Sequence, residues 1–161
     1  MSDDWDARVA AVWAAAGDRD EAAVVADLLA LVDERPAGDA AALYEHASAL
    51  DFAGREAEAE PLYRQALAAG LDDERRPRAQ IQLASTLRNL GRPAAAVELL
   101  ERAIAAAPDD DLAPARAAFL ALALVDDRRP AAAVAAALAA LAPHVPEYGG
   151  AVARYAAALR D

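Results

Sequence analysis

The chain contains no cysteine and no lysine, few aromatic residues and no long apolar run. Without cysteine there is no disulfide, no thiolate nucleophile and no Cys-based zinc site, which fits a reducing compartment. Aromatic side chains are 5% of the residues while 57% are apolar, most of them alanine. That balance suits helices that approach closely over small side chains and disfavours sheets, which want branched and aromatic residues. No stretch reaches the ~18 uninterrupted apolar residues of a membrane span. The opening "MSDDWDARVAAVW" is acidic and has no basic region ahead of an apolar run, so no signal peptide is expected. Together these absences predict a soluble, cytoplasmic protein, and 161 residues suffice for one domain with one continuous core.

Charge is unevenly placed. All 16 basic residues are arginine, and the net charge is −11. Residues 1 to 61 hold 15 acids against 4 arginines, while residues 62 to 161 hold 12 of each. An acidic surface repels phosphate backbones, so neither nucleic acid nor an anionic membrane is an expected partner. A solvated, solubilising face accounts for the excess.

Sliding the chain along itself reveals a repeat. Gly54, Arg55 and Ala59 recur 37 residues later as Gly91, Arg92 and Ala96, and Gly17 and Ala22 precede them by the same interval. At that offset Val9, His46, Leu83 and Leu120 fall in register, followed by Ala10, Ala47, Ala84 and Ala121, then Trp13, Leu50, Leu87 and Leu124. After the turn Ala22, Ala59, Ala96 and Ala133 align, then Ala26, Tyr63, Leu100 and Ala137, and last Leu29, Ala66, Ala103 and Ala140. Spacings of three and four put each set on one helix stripe. Each unit is therefore an antiparallel helix pair with a glycine turn, and the recurrent alanines mark places where two helix backbones cross. Arg128 stands at the turn position in the last unit and must adopt a non-helical conformation there.

The pattern predicts helices at 3–16, 19–34, 38–53, 56–69, 74–90, 93–107, 112–126 and 130–142, with a ninth at 147–160. The ninth places Val152, Tyr155 and Leu159 on one side, suited to covering the end of an array. Pro61 falls inside the fourth helix, which is expected to bend there or to begin later.

These spacings resemble the tetratricopeptide repeat, whose helix–turn–helix reads Trp-x2-Leu-Gly-x2-Tyr, then Ala-x3-Phe-x2-Ala, then Pro. The matching residues are Leu43, His46, Ala47, Leu50, Ala59, Tyr63 and Ala66 in the second unit. In the third they are Gln80, Leu83, Ala84, Leu87, Ala96, Leu100, Ala103 and Pro108. The usual repeat is about three residues shorter. The chain is similar to a bacterial group with four degenerate units, here about 3–36, 38–73, 74–110 and 111–145, closed by a capping helix at about 147–160. The resemblance implies an all-α fold, a right-handed superhelical array of antiparallel helix pairs forming a single domain. It also implies a non-catalytic module that binds a protein or peptide in a concave groove. A self-associating scaffold is the alternative, and an enzyme a distant third; the expected state is a monomer or weak homodimer.

In such arrays the first helices line the groove. Their positions not committed to packing are Tyr44, Glu45, Ser48, Asp51 and Phe52 in the second unit. In the third they are Arg78, Ile81, Gln82, Ser85, Arg88 and Asn89, and in the fourth Ala118, Phe119, Leu122 and Val125. Aromatic and arginine side chains are what binding hot spots favour. Asp51 and Arg88, at equivalent heights on neighbouring helices, are alternatively a pair. Chaperone-binding members hold a terminal carboxylate with lysines and asparagines, a set to which only Arg78, Arg88 and Asn89 correspond here.

Little else points to chemistry. His46 falls at a packing position and reads as a hydrogen-bonded core histidine, and His144 lies in a loop. With two histidines and no cysteine, neither a zinc site nor a nucleophile–base pair assembles, and no cofactor is expected. Asp109, Asp110 and Asp111 precede a helix and read as a cap. Trp13 and Tyr63 are expected in the core, with Trp5 partly exposed.

Overall fold

A computed structural model describes residues 2–159, which form nine α-helices, two short 3-10 turns and no strand. The helices are α1 (Ser2–Ala14), α2 (Glu21–Asp33), α3 (Ala40–Phe52), α4 (Glu56–Ala69), α5 (Arg75–Asn89), α6 (Pro93–Ala106), α7 (Ala113–Asp126), α8 (Pro130–Leu141) and α9 (Gly149–Ala158). Their bounds lie within about two residues of the sequence expectation, the usual fraying margin. No helix among the described residues is long and apolar enough to cross a membrane.

The chain resolves into two compact units, Met1–Ala79 and Gln80–Asp161, with α5 beginning in the first and ending in the second. In the first unit α1 packs on α2, α2 on α3 and α3 on α4. Asp20 and Asp39 start α2 and α3 by accepting hydrogen bonds from the N–H groups of Ala23 and Ala42. Each satisfies a donor that the helix itself leaves open. Trp5, Val9, Val24, Leu28, Leu31 and Ala49 form a core in which the Trp5 indole donates to the Leu31 carbonyl at 2.8 Å. Trp5 is therefore fully interior, not partly exposed as expected.

The alanine register holds in α3 and α4, where Ala47, Ala59 and Ala66 are buried, and in α5 and α6, where Ala84, Ala96 and Ala103 are buried. It fails in the first pair. Ala10, Ala22 and Ala26 are exposed, and Val24, Leu28 and Leu31 pack instead. Those three precede Ala59, Tyr63 and Ala66 by 35 residues, so α2 is offset by two from the spacing of the later units. Gly17 accordingly sits in the 3-10 turn Ala16–Asp18, without the left-handed conformation of Gly54 and Gly91.

In the second unit α6 packs on α7, α7 on α8, and α8 on α9. Arg128 has φ of 60°, the non-helical conformation its place in the repeat demanded. Pro61 lies within α4, which begins at Glu56 and continues to Ala69, so the expected later start is wrong. The cap is also rotated from its expected face. Ala156 is buried and a Cβ on Gly149 would lie 2.4 Å from the Ala142 carbonyl oxygen, whereas Tyr155 is 70% exposed and Leu159 is exposed as well. The close approach at Gly149 fixes which side of α9 faces the protein.

Candidate functional site

Helix α3 carries five of the predicted groove residues, but not all of them face solvent. Tyr44, Glu45 and Ser48 are buried, Asp51 is half-buried and Phe52 is exposed. Three of the five thus belong to the interior, contrary to the sequence expectation, and the reason is a polar network. Glu45 accepts a hydrogen bond from the Trp13 indole at 2.8 Å and lies 3.6 Å from Nε of Arg75. Arg75 also pairs with Asp72 at 2.7 Å and with Asp6. Burial pushes the Glu45 carboxyl up, opposed by the Trp13 donor and the Arg75 charge. Both Arg35 and Arg75 also face the Trp5 ring, at 5.0 and 5.9 Å from its centroid.

Behind this network Tyr44 and Tyr63 meet at 6.2 Å between ring centroids. The Tyr63 hydroxyl donates to Asp51 at 3.3 Å and is 3.5 Å from Ser48, whose own hydroxyl donates to the Tyr44 carbonyl at 2.9 Å. Burial pushes the Tyr44 phenol up to about 12 and raises that of Tyr63 as well. Both phenols are held protonated, so they serve as hydrogen-bonding and packing groups, not as proton-transfer groups at neutral pH. Phe52 projects beyond them, edge-on to Trp13 at 5.7 Å. Arg78 is exposed and pairs with Glu74 at 3.0 Å.

In the second unit Ile81 is buried, Gln82, Ser85 and Arg88 are half-buried and Asn89 is exposed. Ile81 thus also departs from the solvent-facing expectation. Arg88 lies 3.6 Å from Asp126 and donates to Asn89 at 3.3 Å. On α7, Leu120, Ala123 and Leu124 pack inward, Phe119 is half-buried, and Leu122 and Val125 are 47% and 55% exposed. Helical periodicity explains the division, since residues three apart share a face and those two apart do not. The second unit therefore presents an apolar patch on α7.

His46 is half-buried instead of interior. Asp110 accepts from the Leu112 N–H at 3.0 Å and pairs with Arg116, whose guanidinium also donates to the Ala107 carbonyl. The acid run therefore does not cap α7 as expected: the N-cap is Leu112, without a side-chain cap bond, and Asp110 acts as the partner of Arg116. Among the described residues no group of three or more metal-ligating side chains comes together. Sequence reasoning missed Asp6, Arg75 and Asp126 as members of these polar groups, and placed Trp13 in the core. The offset in the first pair hides the fact that the Trp13 indole N–H reaches Glu45.

The model of the Tetratrico peptide repeat family matches residues 40–159. No curated protein matches the chain. Among solved structures, one described as kinesin light chain nearly identical TPR-like repeats, from Podosopora anserina, is similar over 96% of this chain and 94% of that one. Its TM-score is 0.67 and its identity 18%. A MamA RS-1 double mutant is similar over 97% of this chain and 90% of that one, with TM-score 0.63 and 18% identity. YrrB, a TPR protein with an unusual peptide-binding site, covers 92% of this chain with 82% of its own, with TM-score 0.52 and 18% identity. At these identities the likeness is one of fold, that of an all-α TPR-like solenoid.

Proposed function

The chain belongs to the tetratricopeptide repeat family, and from that membership we propose that it is a non-catalytic interaction module whose partner is a segment of another protein. A protein-interaction or scaffold role is the general implication of the fold. The finer reading places the partner on the first-helix side of α7, where Leu122 and Val125 are exposed while their neighbours pack. That exposure is the observation that carries the proposal, because large apolar side chains gain nothing from water and the core has no use for these two. Half-buried Phe119 extends the apolar area. Arg88 and Asn89 supply polar contacts on α5, and Gln82 and Ser85 lie earlier on the same helix. In the Met1–Ala79 unit, exposed Phe52 is the corresponding apolar anchor, with Asp51 and Arg78 as polar contacts. Tyr44, Glu45 and Ser48 would hold the shape of this unit's surface from within, and Ile81 that of the other unit. The peptide-binding site named for YrrB supports this class of ligand.

Peptides selected from a displayed library against the intact protein test the reading. Titration should show at least tenfold weaker binding to a Leu122→Ser, Val125→Ser double variant of unchanged helicity. Selected peptides that bind both proteins equally would remove this face from consideration. A second reading, self-association through α9, rests on Tyr148 and Tyr155, both largely exposed on the outer side of a helix that would ordinarily be polar there. Mass measured by light scattering across a concentration series, for wild type and Tyr155→Ser, separates the two.

A further inference from the structure

Helices α6, α7 and α8 enclose an open cavity of about 740 Å³. Its α7 wall is formed by Ala113, Ala117, Leu120 and Leu124, so it lies on roughly the opposite side of that helix from Leu122 and Val125. It is therefore separate from the surface proposed above. One lining position departs from the repeat. Ala136, on its α8 wall, stands 37 residues after Leu99 and 74 after Leu62. The two preceding second helices carry leucine where α8 carries alanine. The smaller side chain at this lining position leaves room in the cavity.

The lining is divided by polarity. Ile104, Ala117, Leu120, Leu124 and Ala136 give an apolar floor, while Glu101, Asp109, Asp110, Arg129 and His144 reach it from exposed positions at the mouth. Asp110 is occupied by Arg116, and Arg129 lies 3.9 Å from Asp127. Neither Glu101 nor Asp109 forms a hydrogen bond or ion pair with another described residue. The mouth thus offers two uncommitted carboxylates beside an aliphatic chamber of a size typical for small ligands.

We propose that this cavity binds a small amphiphile with an aliphatic body and a protonated amine head, the chain lying on the alanine and leucine floor and the ammonium group at Glu101 and Asp109. The carboxylates decide the sign of the head group. An anionic head would have to compete with Asp127 for Arg129 and sit among three acids. An amine meets acceptors that are not otherwise engaged.

Octylamine, octanol and octanoate, titrated into the whole protein by calorimetry with amide and methyl NMR shifts as the second readout, test the assignment. Octylamine should saturate one site with shifts centred on Ile104, Leu120, Leu124 and Ala136, and octanoate should bind at least several-fold more weakly. Glu101→Gln with Asp109→Asn should weaken octylamine about threefold or more and leave octanol unchanged. Ala136→Leu, which restores the residue found in the two preceding units, should abolish saturable binding while keeping the fold. The proposal fails if octylamine shows no saturable binding, if octanoate binds as well, or if a folded Ala136→Leu protein binds octylamine unchanged.

Discussion

Arg128 occupies a place the repeat reserves for glycine. In the second and third helix pairs the N–H of Gly54 bonds to the Asp51 carbonyl and that of Arg55 to Leu50, and Gly91 and Arg92 repeat this with Arg88 and Leu87. The fourth pair reproduces the same two bonds, Arg128 to Val125 and Arg129 to Leu124, in the Schellman arrangement that closes a helix. Its first donor must take a left-handed conformation, which glycine adopts freely and arginine does not. Arg128→Gly should therefore stabilise the protein by about 1 kcal/mol. Urea midpoints decide it, and a midpoint unchanged or lowered would contradict the strain. This conformation was legible because the turn bonds repeat with the sequence. The burial of Glu45 was not, because it depends on a donor from Trp13, whose place in the repeat reads as packing alone, and on a guanidinium from Arg75, which lies in no repeating position.

At the scale of whole helices, spacing was a good guide wherever small residues recur and a poor one where something else sets the packing. Val24 and Leu28 displaced the aligned Ala22 and Ala26 because larger apolar side chains gain more from burial than alanine does, and Leu31 follows Leu28 on the same stripe in place of Leu29. Likewise the backbone approach at Gly149 overrode the apolar stripe of α9, leaving Tyr155 outside. Pro61 shows a different limit. It is the sixth residue of α4, lacks the N–H that would bond to the Ala57 carbonyl, and yet does not end the helix. Ala57 and Pro61 are both exposed, so water can take the freed carbonyl. A proline inside a helix still costs up to about 3 kcal/mol relative to alanine, and Pro61→Ala should raise stability by about 1–3 kcal/mol. Circular dichroism at rising urea should show a later midpoint with the same steepness. A protein destabilised by the change would mean that Pro61 makes packing contacts α4 depends on.

Charge acts on the molecule as a whole, and acid titration separates two opposed contributions. The Ala42 N–H and the Arg35 guanidinium outweigh burial and hold Asp39 below its ordinary 3.8. The Arg75 N–H and guanidinium do the same for Asp72. The stability these two contribute is complete above that value and lost as pH falls through their lower folded values. Glu45 has the reverse sign. Burial raises it above 4.5, so between 4.5 and its folded value the native protein holds a proton that the unfolded chain has released. Stability contributed by this group rises as pH falls through that window. The net charge of −11 adds a general relief of self-repulsion in the same direction. Acidification from pH 7 should thus first raise the urea midpoint and then, below about 4, lower it as Asp39 and Asp72 gain protons. Glu45→Gln isolates the buried group from the general effect: its midpoint should climb less than that of wild type above pH 4.5 and fall with it below. Measurements at low protein concentration avoid association near the isoelectric point of about 4.5. Parallel curves for the two proteins over the whole range would show that Glu45 titrates in the fold as it does in the unfolded chain, and that the Trp13 and Arg75 contacts fully offset its burial.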